Sequence, residues 1–193
     1  MSLFDFAFGL SAVILGLGLA ELASRFQQLV FAGRRVKWAP EPVLLAAIVF
    51  LVILVVWLTS WRDHEIREIT VGQVALQVAA ILLPYMVAAA VFPHTPTEGP
   101  VDLHRYYDAN RRVLLGALLV GQVLNWAMGL SRAAPKITAA GDWPHPLVAS
   151  FPYYSVIPYA LLMFIRWRWV NVLGLLFVLA VFLPRAVAAR IAV

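Results

Sequence analysis

"PVLLAAIVFLVILVVWL", residues 42–58, is an uninterrupted apolar run that covers most of the length of a membrane span. A spanning helix needs about 20 mainly apolar residues, whereas a spanning β-strand alternates apolar and polar residues over about ten positions. This run does not alternate, and similar runs recur along the chain. Helices and closed barrels are the only structures that satisfy all backbone polar groups inside a bilayer. The sequence therefore predicts an all-α, polytopic membrane bundle.

The composition agrees with a membrane protein. The chain has 193 residues, of which 63% are hydrophobic and only 13% charged, whereas a soluble domain carries about 25% charged residues. The absence of cysteine excludes disulfides and thiolate metal sites. The net charge of +5 comes from basic residues that flank apolar segments, as in "IRWRW" at 165–169. This placement predicts the lipid bilayer, and no nucleic acid, as the partner of the basic residues.

Six apolar segments are predicted to span the membrane within a single domain, residues 1–193: about 4–24, 43–61, 71–92, 112–130, 149–165 and 169–190. The segment 131–146 is rich in Pro and Gly and is predicted to be an irregular loop. Arg and Lys number nine on the side of the first, third and fifth loops and six on the other side. The positive-inside tendency then predicts that both termini lie outside the cytoplasm. We expect the membrane to be a bacterial inner membrane.

The first apolar segment contains a stripe of small residues. Ala12, Gly16 and Ala20 recur every four residues and therefore share one face of a helix. Such a face allows close helix packing in membranes, or it lines a pore or cleft. Glu21 precedes Arg25 by four residues, which predicts an ion pair at the rim of the membrane.

This helix also resembles the first helix of the endolysosomal potassium-channel family and its bacterial six-helix relatives. The positions that match the pattern of that helix are Phe6, Gly9, Ala12, Leu17 and Glu21. The segments "VVWLTSWRDHEIREI" (55–69) and "AAILLPYMVAAAVF" (79–92) are similar to the end of the family's second helix and to its third helix. Ala7 and Phe8 stand where the family has Ser-Asp, and the resemblance covers residues 6–92.

The resemblance implies a homo-oligomeric channel, tetrameric in that family, with monovalent cations as a possible substrate and with the first helix lining the pore. The pore-lining positions would then be Val13, Gly16, Leu17 and Ala20. A constriction that contains Gly and Ala is wider than one built from Ile and Leu, so strong potassium selectivity is not predicted. We therefore expect an ion channel or a small-solute transport protein.

Amide side chains inside the predicted spans allow a second interpretation. They form two pairs, Gln73 with Gln77 and Gln122 with Asn125. Amides at such positions usually donate hydrogen bonds to neighbouring helices. Alternatively, they line a polar cleft between the third and fourth helices that binds a solute or a lipid head group.

Two polar clusters, at 62–68 and 102–112, support other classes of function. They would serve a membrane-embedded enzyme or a lipid-binding protein, while the small-residue stripe would suit a structural subunit of a membrane complex. The chain has no nucleophile elbow, phosphate-binding glycine loop or metal-ligand spacing. We therefore predict no catalytic residues, metal or cofactor, and an enzyme is the less favoured interpretation.

Overall fold

The computed structural model describes residues 3–61, 70–94, 99–140 and 151–188. Within these ranges the chain is mostly helical, with six α-helices: α1 (Leu3–Ala32), α2 (Pro40–Trp61), α3 (Val71–Ala90), α4 (Leu103–Ala140), α5 (Tyr153–Phe164) and α6 (Arg168–Ala188). A 3-10 turn, Gly33–Arg35, and two strands, β1 (Val36–Lys37) and β2 (Val101–Asp102), lie between helices. The two-residue strands pair in parallel and are an addition to the predicted all-α bundle.

Four helices of the described chain are long and apolar enough to cross a membrane. Their apolar parts are Phe8–Arg35, Pro40–Leu58, Gly72–Ala90 and Leu103–Ser131. The apolar parts of the last two helices, Tyr153–Phe164 and Arg168–Pro184, are shorter than the 18 residues that this criterion requires. The predicted class, a helical bundle compatible with an integral membrane location, thus follows from length and composition.

α1 and α4 extend well beyond their predicted ends. α1 continues eight residues beyond position 24, because Leu29 lies on the same inner face as Leu15 and Leu22 and is fully buried. The charge of Arg25 therefore does not end the helix. The prediction of an irregular loop from residue 131 is wrong for residues 131–140, which continue α4. The alanines in this stretch are strong helix formers and favour its continuation.

α2 is the central helix of the bundle. It packs against α1, α3, α4 and α6, and Leu45, Ile48 and Val49 on it are fully buried. α3 lies between α1 and α4, and α5 packs against α4 and α6. Several faces of α2 are therefore covered by other helices, while Val43, Phe50 and Trp57 form an exposed face.

The β1–β2 pair places the α1–α2 and α3–α4 connections side by side at one end of the bundle. The α5–α6 connection is at the same end, because Arg168 at the start of α6 contacts Glu41 at the start of α2. We call this the bridge end. The nine basic residues counted for the first, third and fifth loops lie in these connections or in the adjoining parts of α1, α4 and α6.

Candidate functional site

The candidate pore-lining residues all lie on the outside of the bundle. Val13 and Leu17 are 61% and 57% exposed, and Gly16 and Ala20 are exposed beside them. We call these four residues the α1 outer face. A Cβ atom added at Gly16 would meet no described atom within 4 Å. Within the described part of the chain, Gly16 and Ala20 of the small-residue stripe therefore face outward, whereas Ala12 is half-buried.

The close approach of α1 to its neighbours takes place at a different glycine. A Cβ atom at Gly18 would lie 3.4 Å from side-chain atoms of both Ile53 on α2 and Tyr85 on α3. Gly18 is buried, and sequence spacing alone did not single it out. Its position two residues from Gly16 places it about 200° around the helix. One glycine thus faces the bundle while the other faces outward.

The α1 outer face becomes polar towards the bridge end. Ser24 and Gln27 lie four and seven residues beyond Ala20, on the same side of the helix, and both are exposed. The 30 residues of α1 make a helix about 45 Å long, which exceeds the hydrocarbon core of a bilayer, about 30 Å. The outer side of α1 therefore combines an apolar segment with a polar segment nearer the bridge end.

Arg25 has more partners than a simple rim pair requires. Its Nε lies 2.7 Å from Glu21 Oε1, as expected for the predicted pair. In addition, its Nη1 donates to the Phe92 carbonyl at 3.3 Å and its Nη2 lies 3.0 Å from His94 Nε2. The guanidinium is largely buried. Its contacts with Phe92 and His94 connect α1 to the chain that follows α3. Glu21 is the more exposed partner of the pair.

The most unusual polar group of the structure is Glu41, which the sequence interpretation did not select. Glu41 lies in the first turn of α2 and is completely buried. Arg168 Nε donates to its Oε1 at 2.9 Å, and His104 Nδ1 lies 3.2 Å from the same oxygen without a well-directed hydrogen bond. Its Oε2 accepts no hydrogen bond within the described chain. We call Glu41, His104 and Arg168 the Glu41 cluster.

A second set of polar contacts lies beside the Glu41 cluster. The Tyr107 hydroxyl donates to Asn171 Oδ1 at 3.1 Å, and Asn171 Nδ2 donates to the Ile165 carbonyl at 2.8 Å. Arg111 donates to the same carbonyl and forms an ion pair with Asp108. Several polar side chains of the 102–112 cluster thus hold α4 against the α5–α6 connection. The other predicted cluster, 62–68, lies outside the described residues.

The amide side chains do not converge on one cleft between α3 and α4. Gln77 donates to Ser11 on α1 at 3.4 Å, and Gln122 donates to Ser155 on α5 at 3.0 Å. Gln73 forms a capping box with Thr70 at the start of α3. The remaining residue of the two predicted pairs, Asn125, is exposed on α4. The Gln77–Ser11 contact therefore connects α3 to α1, and the Gln122–Ser155 contact connects α4 to α5.

Asp102 supplies a pH-dependent contact at the bridge end. The Arg105 backbone N–H donates to Asp102 Oδ1 at 3.1 Å and holds the pKa of this carboxyl below its ordinary value of 3.8. The stabilisation that the ionised Asp102 carboxylate provides is thus present above its unfolded-state pKa. It is lost as the pH falls through the lower folded-state pKa.

We expect the Asp102→Asn variant, which keeps a capping oxygen but does not titrate, to show this effect. The difference in thermal midpoint between wild type and variant should shrink as the pH is lowered from 6 to about 3. Thermal unfolding in detergent at several pH values measures it. A difference that stays constant over this range contradicts the assignment.

No group of three or more His, Cys, Asp or Glu side chains within the described residues is arranged to hold a metal ion. Comparison with known proteins found no matching family model, no matching curated protein and no matching solved structure. The fold and the contacts therefore define a class, a helical protein with spans apolar enough for a membrane. No similarity to a known protein assigns a function to it.

Proposed function

We propose that this chain is a homo-oligomeric membrane transport protein in which the α1 outer face lines a pathway for ions or small solutes. The observation that supports this proposal most directly is the exposure of Val13, Gly16, Leu17 and Ala20 in the single chain. Their opposite face, which carries Leu15 and Leu22, is buried. In an assembly of several copies, α1 can therefore present this face to a central axis without leaving the bundle.

The chemistry of the face fits a gated pathway. Val13 and Leu17 are one turn apart and form an apolar segment that, repeated around an axis, excludes water when narrow. Gly16 and Ala20 occupy less space at the neighbouring levels, which favours passage of more than one kind of ion. Ser24 and Gln27 on the same side provide a polar approach from the bridge end.

The orientation belongs to the same proposal. All six helices cross the bilayer, with α5 and α6 completing the bundle around α2. The nine basic residues counted for this side lie in the bridge-end connections or in the adjoining parts of α1, α4 and α6, and the bridge end faces the cytoplasm. Both termini of the chain then lie on the opposite side of a bacterial inner membrane, and monovalent cations are the substrates that the resemblance to potassium channels suggests.

Ion flux from liposomes tests the proposal. We expect Val13→Trp to lower cation flux at least about tenfold, because an indole on each copy fills an apolar constriction. Val113→Trp is the matched control, since Val113 is 71% exposed on the outside of α4, away from α1. This variant should keep the wild-type flux. The oligomeric state in nanodiscs is measured on the same preparations.

A closed ring of chains whose flux is lowered only by Val13→Trp would support the pathway. A monomer, an absence of flux, or equal inhibition by both variants would overturn it. A chain that is stable only together with other subunits would favour a structural subunit, for which the exposed α1 face is a docking surface.

A further inference from the structure

An apolar groove of about 390 Å³ lies between α1 and α2, in the half of these helices nearer the bridge end. The described side chains that line it are all apolar, and they include Leu22, Phe26, Ala46, Ala47, Phe50 and Phe92. The volume is within the range of small-molecule sites, about 300–1,000 Å³. In a membrane-embedded chain, such a groove is filled by hydrocarbon.

The segment between α1 and α2, at the bridge end, carries aromatic and basic residues. Trp38 packs edge-on against Phe26 with ring centroids 6.0 Å apart, and it is half exposed. Tryptophan at such a position is typical of the level of the lipid head groups. Arg34 and Arg35 lie four and three residues before Trp38, respectively, and both are exposed. Exposed arginines close in sequence to Trp38, which contacts the groove-lining Phe26, favour an anionic head group at this end.

We propose that the groove binds one acyl chain of an anionic phospholipid, whose phosphate is contacted by Arg34 and Arg35. The charge of this segment selects an anionic lipid rather than a zwitterionic one. The site is separate from the α1 outer face and does not depend on the transport proposal. One side of α1 would then contact the bound anionic phospholipid, while the α1 outer face would line the assembly axis.

Native mass spectrometry of the full chain with phosphatidylglycerol or phosphatidylcholine tests the site. Ala47→Phe places a ring in the groove, so we expect it to abolish retention of phosphatidylglycerol. Ala79→Phe is the matched control, because Ala79 is exposed on α3 and does not line the groove. It should retain phosphatidylglycerol as wild type does. Equal retention by the two variants would overturn the proposal.

A second variant tests the head group and does not alter the packed helices. Arg34→Gln with Arg35→Gln should weaken phosphatidylglycerol binding about 30-fold and leave phosphatidylcholine binding unchanged. Unchanged preference for phosphatidylglycerol would contradict the proposed phosphate contact. Loss of self-association by Ala47→Phe, with lipid retention intact, would show that a second copy occupies the groove and would also overturn the proposal. The arginine variant decides the matter if Ala47→Phe does not fold.

Discussion

Replacing Arg168 by Gln is expected to destabilise the protein by about 3–5 kcal/mol, because it leaves a buried carboxylate without its closest cation. Glu41 is completely buried, and Arg168 Nε is 2.9 Å from its Oε1. The other carboxylate oxygen accepts no hydrogen bond within the described chain. His104 Nδ1, at 3.2 Å, is the remaining nitrogen within reach. Thermal or denaturant unfolding in detergent measures the loss.

Replacing Glu41 is expected to cost less stability than replacing Arg168, because the carboxylate is completely buried whereas its partners are about half exposed. Arg168 and His104 are 50% and 44% exposed, so water can solvate both when Glu41 is replaced by Gln. Glu41→Gln in the Arg168→Gln background should therefore restore much of the lost stability. The corresponding double-mutant cycle should give an interaction energy of at least about 1 kcal/mol.

Arg166→Gln is the matched control for this experiment. Arg166 is exposed two residues before Arg168, and the same substitution there should change stability by less than about 0.5 kcal/mol. A double variant whose cost is the sum of the single ones would contradict the assignment, because it would mean that the arginine does not compensate the carboxylate. A cost for Glu41→Gln equal to that for Arg168→Gln would contradict the expected asymmetry between the two partners.

The helices were predictable because their signal is local. An apolar run such as 42–58 has few stable conformations in a membrane, and a helix is the one that its composition favours. The ends were less predictable. α1 passes Arg25 because the inner-face leucines continue to Leu29 and because the guanidinium finds partners on the chain after α3. Those partners are 67 and 69 residues away in sequence, so no local pattern indicates them.

The Glu41 cluster could not be predicted for the same reason. Its members come from three helices, and Glu41 stands between two prolines in a stretch that resembles a connecting loop. The one available signal was a carboxylate at the first turn of the most apolar segment, where the positive end of a helix dipole favours negative charge. Asn171, isolated in an apolar span, was a comparable signal for the contacts around Ile165. In both cases the sequence indicated an unusual polar residue, but it did not indicate which residues that side chain contacts.

The small-residue stripe shows a different limit of sequence patterns. Spacing identifies which residues share a face, but it does not identify which face meets another helix. The tightest glycine in the described chain is Gly174 on α6, which belongs to no stripe. A Cβ atom there would lie 2.8 and 2.9 Å from the two terminal carbons of Leu162 on α5. Close α5–α6 packing therefore depends on the missing side chain at position 174.

We expect Gly174→Val to destabilise the protein by about 3 kcal/mol, the upper end of typical overpacking costs. Leu162 is 2% exposed, so its side chain has to find another rotamer inside a packed interface. Gly174→Ala, which brings only one methyl group, should cost less. Unfolding by increasing SDS in mixed micelles measures both.

Gly16→Val is the matched control, because it is the same substitution in another apolar helix with no described atom within 4 Å of the added Cβ. Valine has a slightly better helix propensity than glycine, so the control should be neutral or slightly stabilising. In the proposed assembly it also narrows the pathway, so it should lower flux while stability is retained. Equal destabilisation by the two variants would place Gly16 in a packed interface and would remove the basis for a pathway along the α1 outer face.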